Sequence, residues 1–178
     1  MRRKLRKILR NIDYKNKIVL DLGTGLCSIK ELSDLCENTT LVGLSDKHSF
    51  IESQKQMVKS KFLYVVGEYK NLPFKNNCFD IEVSLFANFT RDNIRKNARE
   101  IYRTLRHDGD IRIISTYYYK MDSISIYPKN IRKVFDQYFK NLKIKDISTN
   151  NKGHFITIIG GGKNDLSVTP ANFLRPHI

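Results

Sequence analysis

Apolar positions along this chain switch repeatedly between short β-like runs and recurrence every three or four residues. Residues 17–22 (KIVLDL) form a β-branched run that stops at Gly23, Thr24 and Gly25, after which Ile29, Leu32, Leu35 and Cys36 recur at helical intervals. Residues 40–45 (TLVGLS) repeat the strand signal. A polar helix over about 47–59 follows, with Phe50, Ile51, Gln54 and Val58 on its inner side. Residues 62–66 and 79–86 (FDIEVSLF) read as the third and fourth strands, and Ile94, Ala98, Ile101 and Leu105 mark a helix at spacings of 4, 3 and 4. A fifth strand is predicted over 110–116 (DIRIIST). Ile131, Val134, Phe135, Tyr138, Phe139 and Leu142 make the strongest helical stripe, and two final strands are predicted over 142–148 and 154–159.

Strands separated by helices need crossover connections, so the pattern predicts an α/β fold with a mainly parallel seven-stranded sheet and helices on both faces. The final pair is different. Residues 149–153 are too few for a helical crossover, which makes the last strand antiparallel, in a hairpin. No repeat or interdomain linker interrupts the chain. Residues 1–160 are expected to form a single domain, and residues 161–178, containing Pro170 and Pro176, a tail that is mobile or docked through Phe173 and Leu174.

Charge adds a second layer. The 178 residues carry 32 Lys plus Arg against 18 Asp plus Glu, a formal net charge of +14, which favours polyanionic partners or a solvated basic surface. In residues 1–13, Leu5, Ile8, Leu9 and Ile12 line one side of a basic amphipathic helix. Its apolar stripe packs on the domain, or its arginines form a phosphate-facing arm. No apolar run reaches the ~20 residues that a membrane span requires. The three cysteines, Cys27, Cys36 and Cys78, lack CxxC or His-rich ligand spacing, so they read as reduced cytoplasmic thiols and no metal site is expected. His48, His107, His154 and His177 are scattered and suit surface or packing roles.

The strand–glycine–helix junction Asp21-Leu22-Gly23-Thr24-Gly25 is the first candidate for chemistry. A glycine turn there tolerates positive φ, admits a ligand close to bare backbone, and aims free helix N–H groups at it. A nicotinamide dinucleotide would want a third glycine or alanine where Ser28 stands, and Asp21 would repel its pyrophosphate. An acid at that position suits a cationic ligand.

Three further segments follow in order: 67–74 (GEYKNLPF), 78–84 (CFDIEVS) and 103–109 (RTLRHDG). Together with the turn, they make residues 17–116 resemble the class I S-adenosylmethionine-dependent methyltransferases, of the type 11-like group. That resemblance implies a Rossmann-like sheet with a reversed last strand and S-adenosylmethionine as cofactor. It implies that Gly23, Thr24 and Gly25 form the backbone cradle and that Asp21 holds the turn and the ammonium. Glu68 would contact the adenine amino group with Tyr69 beside the ring, and Ser84 and Leu85 would line the floor under the sulfonium. Three positions depart from the family pattern. Cys27 replaces a third glycine, Ser45 stands where an acid accepts the ribose hydroxyls with Asp46 one place later, and His107-Asp108-Gly109-Asp110 keeps one glycine of the family's turn.

The resemblance implies methyl transfer by in-line displacement from a sulfonium, which requires no dedicated protein base. The acceptor stays open, although Ser84-Leu85-Phe86-Ala87 lacks the Pro-Pro-Tyr segment of base-amine methylation and no Pro-Cys nucleophile is present. Arg91, Arg95, Arg99, Arg103 and Arg106 fall at spacings of 4, 4, 4 and 3, along one drifting helical face. That stripe is a phosphate-tracking surface for RNA, or a solvated face paired in part with Asp92 and Glu100. Tyr117, Tyr118 and Tyr119 follow the fifth strand and either stack on a planar acceptor or cover the sheet edge. The expected function is methyl transfer to an unidentified acceptor. Its alternative is a catalytically silent domain of the same fold that binds RNA or a protein through its basic surface.

Overall fold

A computed structural model describes residues 8–24, 32–35, 39–46, 62–85, 93–117, 128–149 and 153–165. Gly25, Cys27, Ser28, Cys36, the 47–59 segment, Arg91, Tyr118, Tyr119, Phe173 and Leu174 lie outside them. The described strands are β1 (Ile18–Leu22), β2 (Thr40–Ser45), β3 (Phe62–Val66), β4 (Phe79–Leu85), β5 (Leu105–Tyr117), β6 (Lys143–Thr149) and β7 (Gly153–Gly161). Two helices are described in full, α1 (Ile94–Thr104) and α2 (Pro128–Phe135).

The seven strands form one sheet in the order β3-β2-β1-β4-β5-β7-β6. Neighbours from β3 through β5 pair in parallel, whereas β7 lies antiparallel to both β5 and β6. The predicted hairpin therefore inserts its second strand against β5 and leaves β6 at the edge.

Alternation along the strands divides the core in two. Leu20, Leu22, Val42, Leu44, Ile111 and Ile113 face one side, where Ile94, Ala98 and Ile101 of α1 and Ile131, Val134 and Phe135 of α2 cover them. Val19, Leu41, Ile81, Val83, Leu85 and Ile114 face the other, covered by Leu9 and Leu32, both in helical backbone. Leu9 is fully buried while Arg10 is exposed, so the part of the basic N-terminal helix described here packs by its apolar stripe.

Two predicted boundaries shift. The helical stripe from Ile131 runs on to Leu142, yet α2 ends at Phe135. Successive tight turns, Gln137 N–H to Val134 O and Tyr138 N–H to Phe135 O, keep Phe139 on the core without a continuous helix. β5 begins at Leu105 rather than 110. Leu105 pairs with Phe79 and Asp110 with Ile81, so residues 106–109 bulge out opposite Asp80 alone. The chain beyond β7 closes on this bulge. Gly162 N–H donates to Gly109 O at 3.1 Å and Lys163 N–H to His107 O at 2.8 Å, so the described residues past 160 stay bound to the sheet.

Candidate functional site

The carboxyl ends of β1 to β4 collect on one edge of the sheet, and the chain passes from β1 to β2 on one side with β4 on the other. Ligands of open parallel sheets bind in the crevice at such a reversal of strand order. Asp21 is fully buried at the end of β1, and Gly23 turns the chain with φ +79°, the left-handed region that a side chain disfavours. The amides of Gly23 and Thr24 both donate to Leu44 O, at 3.0 and 2.9 Å, which ties the turn to the end of β2. The Thr24 hydroxyl lies 3.0 Å from Asp21 Oδ2 and 2.9 Å from Asp21 O, bracing the acid from inside the turn.

The next strands bring further polar groups. Ser45 is buried at the end of β2, and its carbonyl accepts from Gly67 N–H at 3.0 Å. Asp46 follows, exposed. Tyr69, half-buried in the loop after β3, has its phenol pushed up to about 12 by burial and then by the charges of Asp21 and Asp46. The two acids and the phenol therefore share one electrostatic neighbourhood. Glu68, next to Tyr69, is exposed, and its carboxylate pairs with Lys70 at 3.0 Å. On β4, Ser84 is buried and donates to Leu22 O at 3.1 Å, with Leu85 buried beside it, which places both across from the end of β1.

Two contributors went unnoticed in the sequence. Gly43 pairs with Asp21 on one side and Tyr64 on the other. The Tyr64 phenol is pushed up to about 12 by burial and then by Asp21, and among the described residues its hydroxyl has no hydrogen-bond partner. A lone glycine inside a strand signals close approach, so Gly43 in TLVGLS was a usable clue. Nothing in the sequence marked Tyr64.

The arginine stripe divides. Arg95 and Arg99 are exposed on α1. Arg106 instead pairs with Asp80, whose other oxygen accepts Ile18 N–H at 2.8 Å. Arg103 binds Glu100 and the loop before β4. Asp80 is thus a structural tie. Glu82, two residues before Ser84 on the same face of β4, is buried, and burial pushes its carboxyl up to about 8 despite a 2.7 Å bond from the Thr104 hydroxyl.

The donor set fits a cationic sulfur nucleoside. Two carboxylates near the half-buried Tyr69 phenol offer a negative field to an ammonium and a sulfonium, and the Gly23 turn offers bare backbone. A dinucleotide pyrophosphate would meet repulsion there. The family model described as a methyltransferase domain matches residues 20–113, and the chain belongs to that family. Family and fold together make it a methyltransferase domain of the S-adenosylmethionine-dependent class.

The uncharacterized protein MJ1252 of Methanocaldococcus jannaschii is 28% identical over 158 residues, covering 89% of this chain. The present chain spans 57% of that protein's length. Among solved structures, a chain of the complex between the Trm112 methyltransferase activator and a methyltransferase of Haloferax volcanii superposes with a TM-score of 0.73 at 16% identity, covering 92% of this chain and 89% of that one. A TehB-like S-adenosylmethionine-dependent methyltransferase from Corynebacterium glutamicum gives 0.65 at 17% identity, covering 89% and 86%. At these identities the likeness carries the fold.

Proposed function

We propose that this protein binds S-adenosylmethionine across the ends of β1, β2 and β3 and directs its methyl group to a polyanionic acceptor, RNA being the class its surface charge favours. The observation that carries the cofactor reading is the turn after β1, where Gly23 at φ +79° exposes bare backbone beside the buried Asp21 that Thr24 braces. When bound, S-adenosylmethionine supplies a methyl group already activated by its sulfonium, which leaves alignment and desolvation to the protein.

In this reading the Gly23 turn, with Thr24 and Gly25, admits the methionyl end, and Asp21 faces the ammonium. Asp46 takes the ribose role that Ser45, with one uncharged hydroxyl, fills weakly. Tyr69 lies beside the base, and Ser84 and Leu85 form the floor. For the acceptor, the support is the net charge of +14 and the exposed Arg95, Lys96 and Arg99 on α1.

Calorimetric titration with S-adenosylhomocysteine tests the cofactor reading. Saturable binding that Gly23→Arg abolishes is expected, and no heat from the wild-type chain overturns it. Transfer of labelled methyl groups onto total RNA, protein and small-metabolite fractions tests the acceptor. Label in a protein or metabolite fraction alone would overturn the RNA assignment and leave the cofactor site standing.

A further inference from the structure

Tyr69 sits in a loop, residues 67–77, that must be held in place from outside if the phenol is to stand beside Asp21 and Asp46. The loop is folded tightly at its base. A Cβ on Gly67 would come within 2.9 Å of Pro73 Cδ, and Glu68 bridges Asn71. Its far half is fastened to α1 by two side chains. Glu100 Oε2 accepts Leu72 N–H at 2.8 Å. Arg103 donates from Nη2 to Leu72 O at 2.8 Å, and from Nη1 to Phe74 O at 2.7 Å and Asn76 Oδ1 at 3.0 Å. Its Nε and Nη2 also reach Glu100 Oε1 and Oε2, at 3.0 and 2.8 Å.

These contacts engage all five N–H donors of the guanidinium. Arg103 therefore has no donor left for a phosphate while the loop is in place, and its position in the arginine stripe has a different purpose. A lysine could not replace it, since a single ammonium cannot satisfy three acceptors and a carboxylate in this fork geometry. The Arg103 hydrogen bond also holds the Glu100 carboxyl below its ordinary range, so the pair stays charged into acid conditions.

We infer that Glu100 and Arg103 are positioning residues for cofactor binding: they clamp the 72–76 segment so that Tyr69, three residues before it, is presented to the site. The inference rests on the functional reading above and extends it to two residues on the opposite side of the loop. Neither touches the proposed ligand. Their effect passes through Tyr69.

The test is calorimetric titration of the full chain with S-adenosylhomocysteine, comparing wild type, Arg103→Lys and Glu100→Gln, each also in a Tyr69→Ala background. Lys133→Ala, on the exposed side of α2, is the control. Both clamp substitutions are expected to weaken binding about tenfold at a temperature where the melting curve shows the variant folded, and to add little once Tyr69 is absent. Should Arg103→Lys fail to fold, Glu100→Gln carries the comparison. An unchanged affinity, or an equal loss with and without Tyr69, would overturn the clamp while leaving the cofactor reading intact. Absence of binding by the wild-type chain would overturn both.

Discussion

A Cβ placed on Gly43 would stand 2.5 Å from the Thr24 hydroxyl oxygen and 2.7 Å from two carbons of the Phe62 ring. Gly43 lies beside Asp21 in the sheet, so the space it leaves is the space into which the turn after β1 folds. Gly43→Ala should destabilise the protein by about 1–3 kcal/mol, as overpacking does, because Thr24 is braced on Asp21 and cannot swing away freely. Urea denaturation would measure the loss, and S-adenosylhomocysteine affinity should fall with it. A variant as stable as wild type would show that the turn has room to spare.

Tyr69 keeps its proton through the ordinary working range, since its phenol ionises only at about 12. Tyr69→Phe removes a neutral donor. The resulting change in S-adenosylhomocysteine affinity should therefore be constant from about pH 6 to pH 10. Asp46→Asn should weaken the same ligand by lowering the negative field. A Tyr69→Phe effect that varied across that range would mean the phenolate takes part.

Glu82 lies among apolar neighbours with Thr104 as its hydrogen-bond partner, and its carboxyl ionises near 8 instead of 4.5. The folded chain thus holds a proton that the unfolded chain has already released, and stability falls as pH rises between those two values. The loss is on the order of 5 kcal/mol at most. Glu82→Gln keeps an acceptor for Thr104 and has no charge to bury. Denaturation curves at pH 5 and pH 8.5 should show a smaller drop for the variant than for wild type. Parallel curves would refute the buried neutral acid.

Asp80 and Arg106 form one ion pair but matter unequally. Asp80 also accepts the Ile18 amide where β1 begins, so Asp80→Ala leaves a part-buried donor without its acceptor and should cost about 1–3 kcal/mol. Arg106 is half-exposed, and Arg106→Ala should cost less than about 1 kcal/mol. Thermal melts of the two variants would separate the terms, and equal losses would place the energy in the ion pair itself.

The arginine stripe shows where reading the chain alone stopped short. Spacing put Arg95, Arg99, Arg103 and Arg106 on one helical face, but the helix ends at Thr104 and Arg106 lies in β5, and helical period says nothing about what packs opposite. The loop that engages Arg103 is about thirty residues earlier in the chain, and Asp80, which engages Arg106, is 26 residues earlier. The same limit applied to Glu68, whose place after β3 was legible while the direction of its carboxylate, toward Lys70, was not.

Local sterics and apolar periodicity were enough to establish, from the amino acids alone, the strands, the reversed last strand, the glycine turn at Gly23 and Asp21 beside it. These features depend on neighbours a few residues apart. The placing of Asp21 beside Gly43 and of the Gly23 turn against Leu44, the burial of Glu82 and the enclosure of Arg103 were decided only when the sheet assembled. Each joins residues from separate strands or loops, and their distances are set by strand order and register, which no spacing along the chain encodes.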